Sequence, residues 1–123
     1  PLIQFEAAGE QIVPLPLLHG SGHVLGFRLQ NFAYLTDCSK IPAESRELLR
    51  GLDLLIIDGL RVRPHRTHFT FAQAVDEIHD LKPKRSLLTH LSHEIDHHEV
   101  NRLLSEMTDR QVEASYDGQI IEI

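Results

Sequence analysis

The stretch Asp53-Leu54-Leu55-Ile56-Ile57-Asp58 decides the fold class. Four successive apolar residues of strand length read as a strand covered on both faces, as strands in layered α/β proteins are. Downstream, Thr70 and Gln73 form a capping-box pattern, and Phe71, Ala74, Val75, Ile78 and Leu81 follow at helical spacing until Lys82-Pro83 stops the run. Ser86 to Thr89 reads as a short buried strand that ends at His90. Asp96 and Glu99 open a last helix through Val100, Leu103, Leu104 and Met107, and the turn Asp117-Gly118 introduces a terminal strand, Gln119 to Ile123. Upstream, Pro42 suits a first helical turn and Gly51 a left-handed stop, which predicts a helix over Ala43 to Arg50 with Leu48 and Leu49 as its apolar face. Val24 to Gln30, with Leu25, Phe27 and Leu29 on one side, and Phe32 to Thr36 predict a hairpin that ends at Asp37. Ile12 to Leu18 is apolar with two prolines, which suits an edge strand running to His19. The alternation of strands and helices predicts an α/β layered domain.

Composition narrows the function classes. At 123 residues, 41% hydrophobic and 24% charged, the chain has room for one ordinary domain. Its apolar runs fall far short of the roughly 20 residues that cross a bilayer. Pro1 to Glu10 lacks the basic start and apolar stretch of a signal peptide, and a single cysteine, Cys38, cannot form an internal disulfide. A cytoplasmic protein with no membrane partner is expected. The net charge is -6, and Arg and Lys are scattered, which argues against broad capture of nucleic acid and suits a small substrate. Nine histidines are the unusual number.

Four of the predicted strands deliver a polar residue at their C-terminal ends: His19, Asp37, Asp58 and His90. In α/β sheets ligands sit at that edge. A single histidine there is ordinarily structural. Two histidines and a carboxylate together are the donor set that borderline cations such as Zn²⁺ prefer, so His19, Asp37 and His90 are candidate metal ligands.

The runs Leu17-Leu18-His19-Gly20-Ser21-Gly22, Leu25-Gly26-Phe27-Arg28, Ala33-Tyr34-Leu35-Thr36-Asp37 and Leu88-Thr89-His90-Leu91-Ser92-His93 resemble the second half of the metallo-β-lactamase superfamily. Within it the chain is most similar to the branch that includes the phosphoribosyl cyclic phosphate phosphodiesterase. The resemblance implies one half of a four-layer αββα sandwich, with residues 1–123 as the C-terminal half. The family's His-x-His-x-Asp-His motif, which belongs to the N-terminal half, is absent, and the start at Pro1 suggests a piece of a longer protein. The resemblance makes His19 and His90 terminal metal ligands and Asp37 the carboxylate that bridges two divalent ions, Zn²⁺ or Mn²⁺. Such a pair acidifies water and polarises a phosphoryl oxygen, so Asp37 serves the reaction as well as the metals. Asp58 is a candidate to anchor the second ring nitrogen of one of the metal-binding histidines.

The segment Arg63-Pro64-His65-Arg66-Thr67-His68 reads on its own as a solvated basic loop. By the resemblance, His68 matches a histidine that reaches over the metals to contact the phosphate or protonate the leaving oxygen. His93 is a weaker candidate for an extra metal, His97 and His98 fall in the first turn of the last helix, His23 and His79 read as structural or solvated, and Cys38 reads as a buried filler. The expected function is hydrolysis of a small phosphodiester, cyclic ones included, by a metal-dependent phosphodiesterase of which this chain alone would be inactive. The alternatives are a non-catalytic half-domain that mediates assembly, and a hydrolase of the same fold acting on RNA, a lactone or a thioester. The apolar character of the strands on both faces predicts a partner for the sheet: the missing N-terminal half or a second copy of the chain.

Overall fold

The computed structural model describes residues 3–122. Seven strands form one sheet in which spatial order follows chain order: β1 (Phe5–Ala7), β2 (Glu10–His19), β3 (Gly22–Leu29), β4 (Phe32–Leu35), β5 (Leu54–Asp58), β6 (Arg85–Thr89) and β7 (Val112–Ala114). β1 to β4 are antiparallel, joined by the two-residue loops Ala8-Gly9, Gly20-Ser21 and Gln30-Asn31. From β4 onward the pairs are parallel, and parallel neighbours need crossovers. These are supplied by α1 (Ala43–Glu47), α2 (Phe71–Leu81) and α3 (His97–Met107). The α2 capping box forms as predicted: the Gln73 N–H donates to Thr70 Oγ1, and the Thr70 N–H donates to Gln73 Oε1. Asp96 caps α3 by accepting from the His98 N–H.

Alternation along the strands separates two faces. One carries Leu15, Leu17, Ala33, Leu35, Leu55, Ile57, Leu88 and Ala114, all within 1% of complete burial, in a single core with Ile41, Leu49, Phe71, Ala74, Val75, Ile78, Leu81, Val100 and Leu104 from the crossover segments. All three helices therefore cover the same face. Register places Phe27, Tyr34, Ile56 and Leu87 in a row on the opposite face. Leu25, Phe27, Tyr34 and Phe5 are there between 38% and 45% exposed. The α/β class is as expected, with one sheet and one helical layer. Among the described residues no helix is long and apolar enough to cross a membrane.

Several expectations are corrected. Residues 10–19 form an interior strand, because β1 pairs with its start. That pairing stops at Ile12, so Pro14 and Pro16 lie where no strand needs their missing N–H, and the edge reading holds for that half. β1 escaped the sequence reading because its turn, with φ of 52° at Ala8 and 80° at Gly9, lacks the Asn-Gly or Asp-Gly signature of such hairpins. α1 ends at Glu47: the Leu48 and Leu49 N–H groups bond three residues back, to Ser45 and Arg46, which turns Leu49 into the core and leaves Leu48 47% exposed. The last strand is Val112–Ala114 on the free edge of β6. The Asp117-Gly118 turn forms, with Gly118 at φ 83°, but residues 119–122 join no ladder, and Ile123 lies outside the described residues.

Candidate metal centre

Strands two apart in an antiparallel ladder run the same way, so β2 and β4 point with β5 and β6. This brings His19, Asp37, Asp58 and His90 to one edge of the sheet. Two of them leave their strands through left-handed backbone, Asp37 at φ 53° and His90 at φ 63°. Asp and His are among the few non-glycine residues enriched there, and such conformations concentrate at functional sites.

Asp37 is central. Its Oδ1 lies 3.4 Å from His90 Nε2, and ligand-type atoms of His19, Asp37 and His68 all lie within 4.8 Å of one another. The His68 ring stacks on His90 at 4.6 Å between centroids and meets His19 edge-on at 5.0 Å. The four expected site residues His19, Asp37, His68 and His90 thus share one cluster. Its donors, imidazole nitrogens and a carboxylate, suit a borderline divalent cation.

His68 reaches the cluster from the segment between β5 and α2, which runs out and back. Leu60 and Phe69 are tied by a 2.9 Å backbone hydrogen bond, the Phe69 N–H donates to the Cys38 carbonyl, and the Phe69 side chain is buried. Asp58 is fully buried, and its Oδ2 accepts from the Cys38 N–H at 3.0 Å and pairs with His68 Nδ1 at 2.6 Å. Asp58 therefore anchors His68 and not one of the expected ligand histidines, His19 or His90, and His68 Nε2 is the ring nitrogen left to act. Burial raises the Asp58 pKa, only partly offset by the His68 hydrogen bond and charge and by the Cys38 N–H. Burial also pushes the Cys38 thiol far up, with Asp58 adding to the effect, which favours the neutral thiol of a buried filler. Glu94 pairs with Arg63, and with Arg61 at 3.5 Å, and so ties the His68 loop to the loop after His90.

The remaining histidines stand apart or at the margin. His79 pairs with Thr108, His97 lies beside Asn101 and Tyr116, and His23, His93 and His98 are exposed. Among the described residues His93 joins no group of three ligand-type side chains. His65, whose ring is 5.1 Å from that of His68, was not foreseen as a site residue. Its pKa is lowered, first by partial burial and then by Arg61 and His68.

A family model for the β-lactamase superfamily domain matches residues 3–91, which include the whole cluster. The chain belongs to the β-lactamase superfamily. A solved diphosphatase of the PhnP family is 39% identical with a TM-score of 0.90, and the match covers 98% of this chain and 46% of that one. Human tRNase Z, short form, shares the fold at 21% identity and a TM-score of 0.71, over 97% of this chain and 44% of its own. An octanoyltransferase of Porphyromonas gingivalis is 36% identical over 119 residues, 96% of this chain and 24% of that protein. The chain thus spans about a quarter of that curated relative and about half of the solved ones. The family expected from the sequence is borne out.

Proposed function

We propose that this chain supplies one half of the active site of a metal-dependent hydrolase acting on a small phosphodiester, cyclic ones included. The observation that carries the reading is the cluster at one sheet edge in which buried Asp58 holds His68 over His19, Asp37 and His90. His19, Asp37 and His90 would hold divalent cations, Zn²⁺ or Mn²⁺, with Asp37 between two of them. Bound there, such cations supply Lewis acidity toward a phosphoryl oxygen and lower the pKa of water. His68 would meet the phosphate or deliver a proton to the leaving oxygen, with Asp58 fixing its ring. The 39% identical diphosphatase supports phosphoryl chemistry, and the half-length coverage of the solved relatives supports a second half, with further ligands, in the complete enzyme.

The test compares this chain with the polypeptide extended upstream through its own reading frame, measuring bound metal and metal-stimulated hydrolysis of bis(p-nitrophenyl) phosphate and a 2′,3′-cyclic nucleotide. The extended protein should turn over and this chain alone should not. In the extended protein His68→Ala should keep its metal and lose about 10²- to 10⁴-fold in rate, the range for a general acid or base. Loss of metal along with rate would make His68 a ligand instead. An extended protein that binds no metal would end the hydrolase reading and leave the second one, a half-domain that serves assembly, which the exposed apolar sheet face favours.

A further inference from the structure

His65 is the histidine nearest the cluster that the proposed chemistry leaves without a role, and its placement is closely determined. The tip of its loop turns through Arg66 and Thr67, with His65 and His68 facing each other across an antiparallel bridge. The Thr67 methyl lies 3.0 Å from where a Cβ on Gly20 would sit, so the tip packs on the bare turn directly after His19. The loop is thereby registered to the metal-ligand end of β2.

Hydrogen bonding fixes the His65 ring. Its Nδ1 accepts the Thr67 backbone N–H at 3.2 Å and lies 3.1 Å from Thr67 Oγ1. A nitrogen that accepts an amide proton carries none itself, so the ring proton resides on Nε2. His68 is held in the opposite sense. Asp58 Oδ2, already accepting from the Cys38 N–H, takes the His68 Nδ1–H and leaves Nε2 as the nitrogen that exchanges a proton. Two imidazoles with centroids 5.1 Å apart thus present unlike groups, a nitrogen that can take up and give a proton on His68 and a fixed N–H donor on His65. A phosphate ester needs a donor for its anionic oxygen beside the group that handles its proton.

We propose that His65 is a second substrate-contacting residue, donating its Nε2–H to a non-bridging oxygen of an anionic phosphate group that His68 also meets. The assignment rests on the hydrolase reading of the His19, Asp37, His68 and His90 cluster and adds to it the oxyanion donor.

Two measurements test it. In the extended, metal-loaded enzyme, His65→Ala should lower kcat/KM for bis(p-nitrophenyl) phosphate by about 10- to 100-fold, as for losing a hydrogen bond to a charged group. His65→Gln, whose amide nitrogen reaches the Nε2 position, should recover most of it, with metal content unchanged in both. The second measurement needs no turnover: ¹⁵N-detected imidazole spectra of this full chain, with and without inorganic phosphate. They should show His65 protonated at Nε2 and its Hε2 resonance moving with phosphate. A Nδ1–H tautomer, a His65 resonance indifferent to phosphate, or a Gln variant as impaired as Ala would overturn the assignment. Failure of the hydrolase reading would look different, as an extended enzyme inactive before any His65 substitution.

Discussion

The two faces of the sheet are built from similar residues and end in different states. Leu15, Leu35, Leu55 and Leu88 on the helix-covered face are fully buried, whereas Leu25, Phe27 and Tyr34 on the other are between 38% and 45% exposed. A cavity of about 320 Å³ opens there among Phe5, Ile12, Phe27, Leu29, Phe32 and Tyr34. The difference teaches that apolar content does not by itself assign a residue to a core: the covered face holds the chain together, and the open one is surface suited to a partner.

Removing side chains from each face separates their roles. Phe71→Ala hollows out the covered face and should cost about 3–5 kcal/mol, the usual range for a buried Phe. Urea unfolding reads this, and a loss below about 1 kcal/mol would mean the face is not the core.

The next effect comes from overfilling. A methyl on Gly26 would stand 2.6 Å from Leu35 Cδ2, 2.9 Å from Leu17 Cδ1 and 3.0 Å from the Tyr34 carbonyl. Gly26→Ala should cost about 1–3 kcal/mol, while Leu25→Ala, one residue along and on the open face, should move the urea midpoint far less. Equal shifts would erase the distinction between the faces.

Asp58 tests the covered side by pH. Its folded pKa is raised, so the protonated carboxyl favours folding. That contribution is full below the unfolded pKa and is lost as pH rises through the folded one. In metal-free chain, Asp58→Asn should therefore abolish a fall in stability that sets in above the ordinary carboxylate range. If the Asn variant keeps the fall, another group causes it.

The smallest effect on the fold and the most informative for the open face is expected from Phe27→Ser with Tyr34→Ser. In sedimentation the parent chain should associate with rising concentration, and the double variant should stay monomeric with an unchanged cooperative unfolding transition. A monodisperse parent monomer would show that the open face needs no cover.

Much of this was legible in the chain because its signals are local. The capping box at Thr70 and Gln73, the apolar run of β5 and the polar residues that close β2, β5 and β6 each declare themselves within a few positions. The partnership of Asp58 with His68 does not, since it joins residues ten apart across an irregular loop. The role of the His65 ring is hidden for the same reason: it depends on a loop tip packed against Gly20. β7 was missed because Arg110-Gln111-Val112-Glu113 shows no apolar run, and β6, not its own composition, gives it a place. The stretch 119–123 has the better strand pattern, yet its described residues join no ladder.

The left-handed backbone at Asp37 and His90 has a consequence for anyone engineering this protein. A non-glycine residue in that conformation costs roughly 1–2 kcal/mol. Glycine would remove the cost at both positions, so a library screened only for heat resistance should enrich Asp37→Gly and His90→Gly among its winners. The same screen would remove two members of the cluster at the sheet edge. Thermal selection on this scaffold therefore needs an activity gate, and substitutions at these two positions are the first to inspect in any stabilised variant that has gone silent.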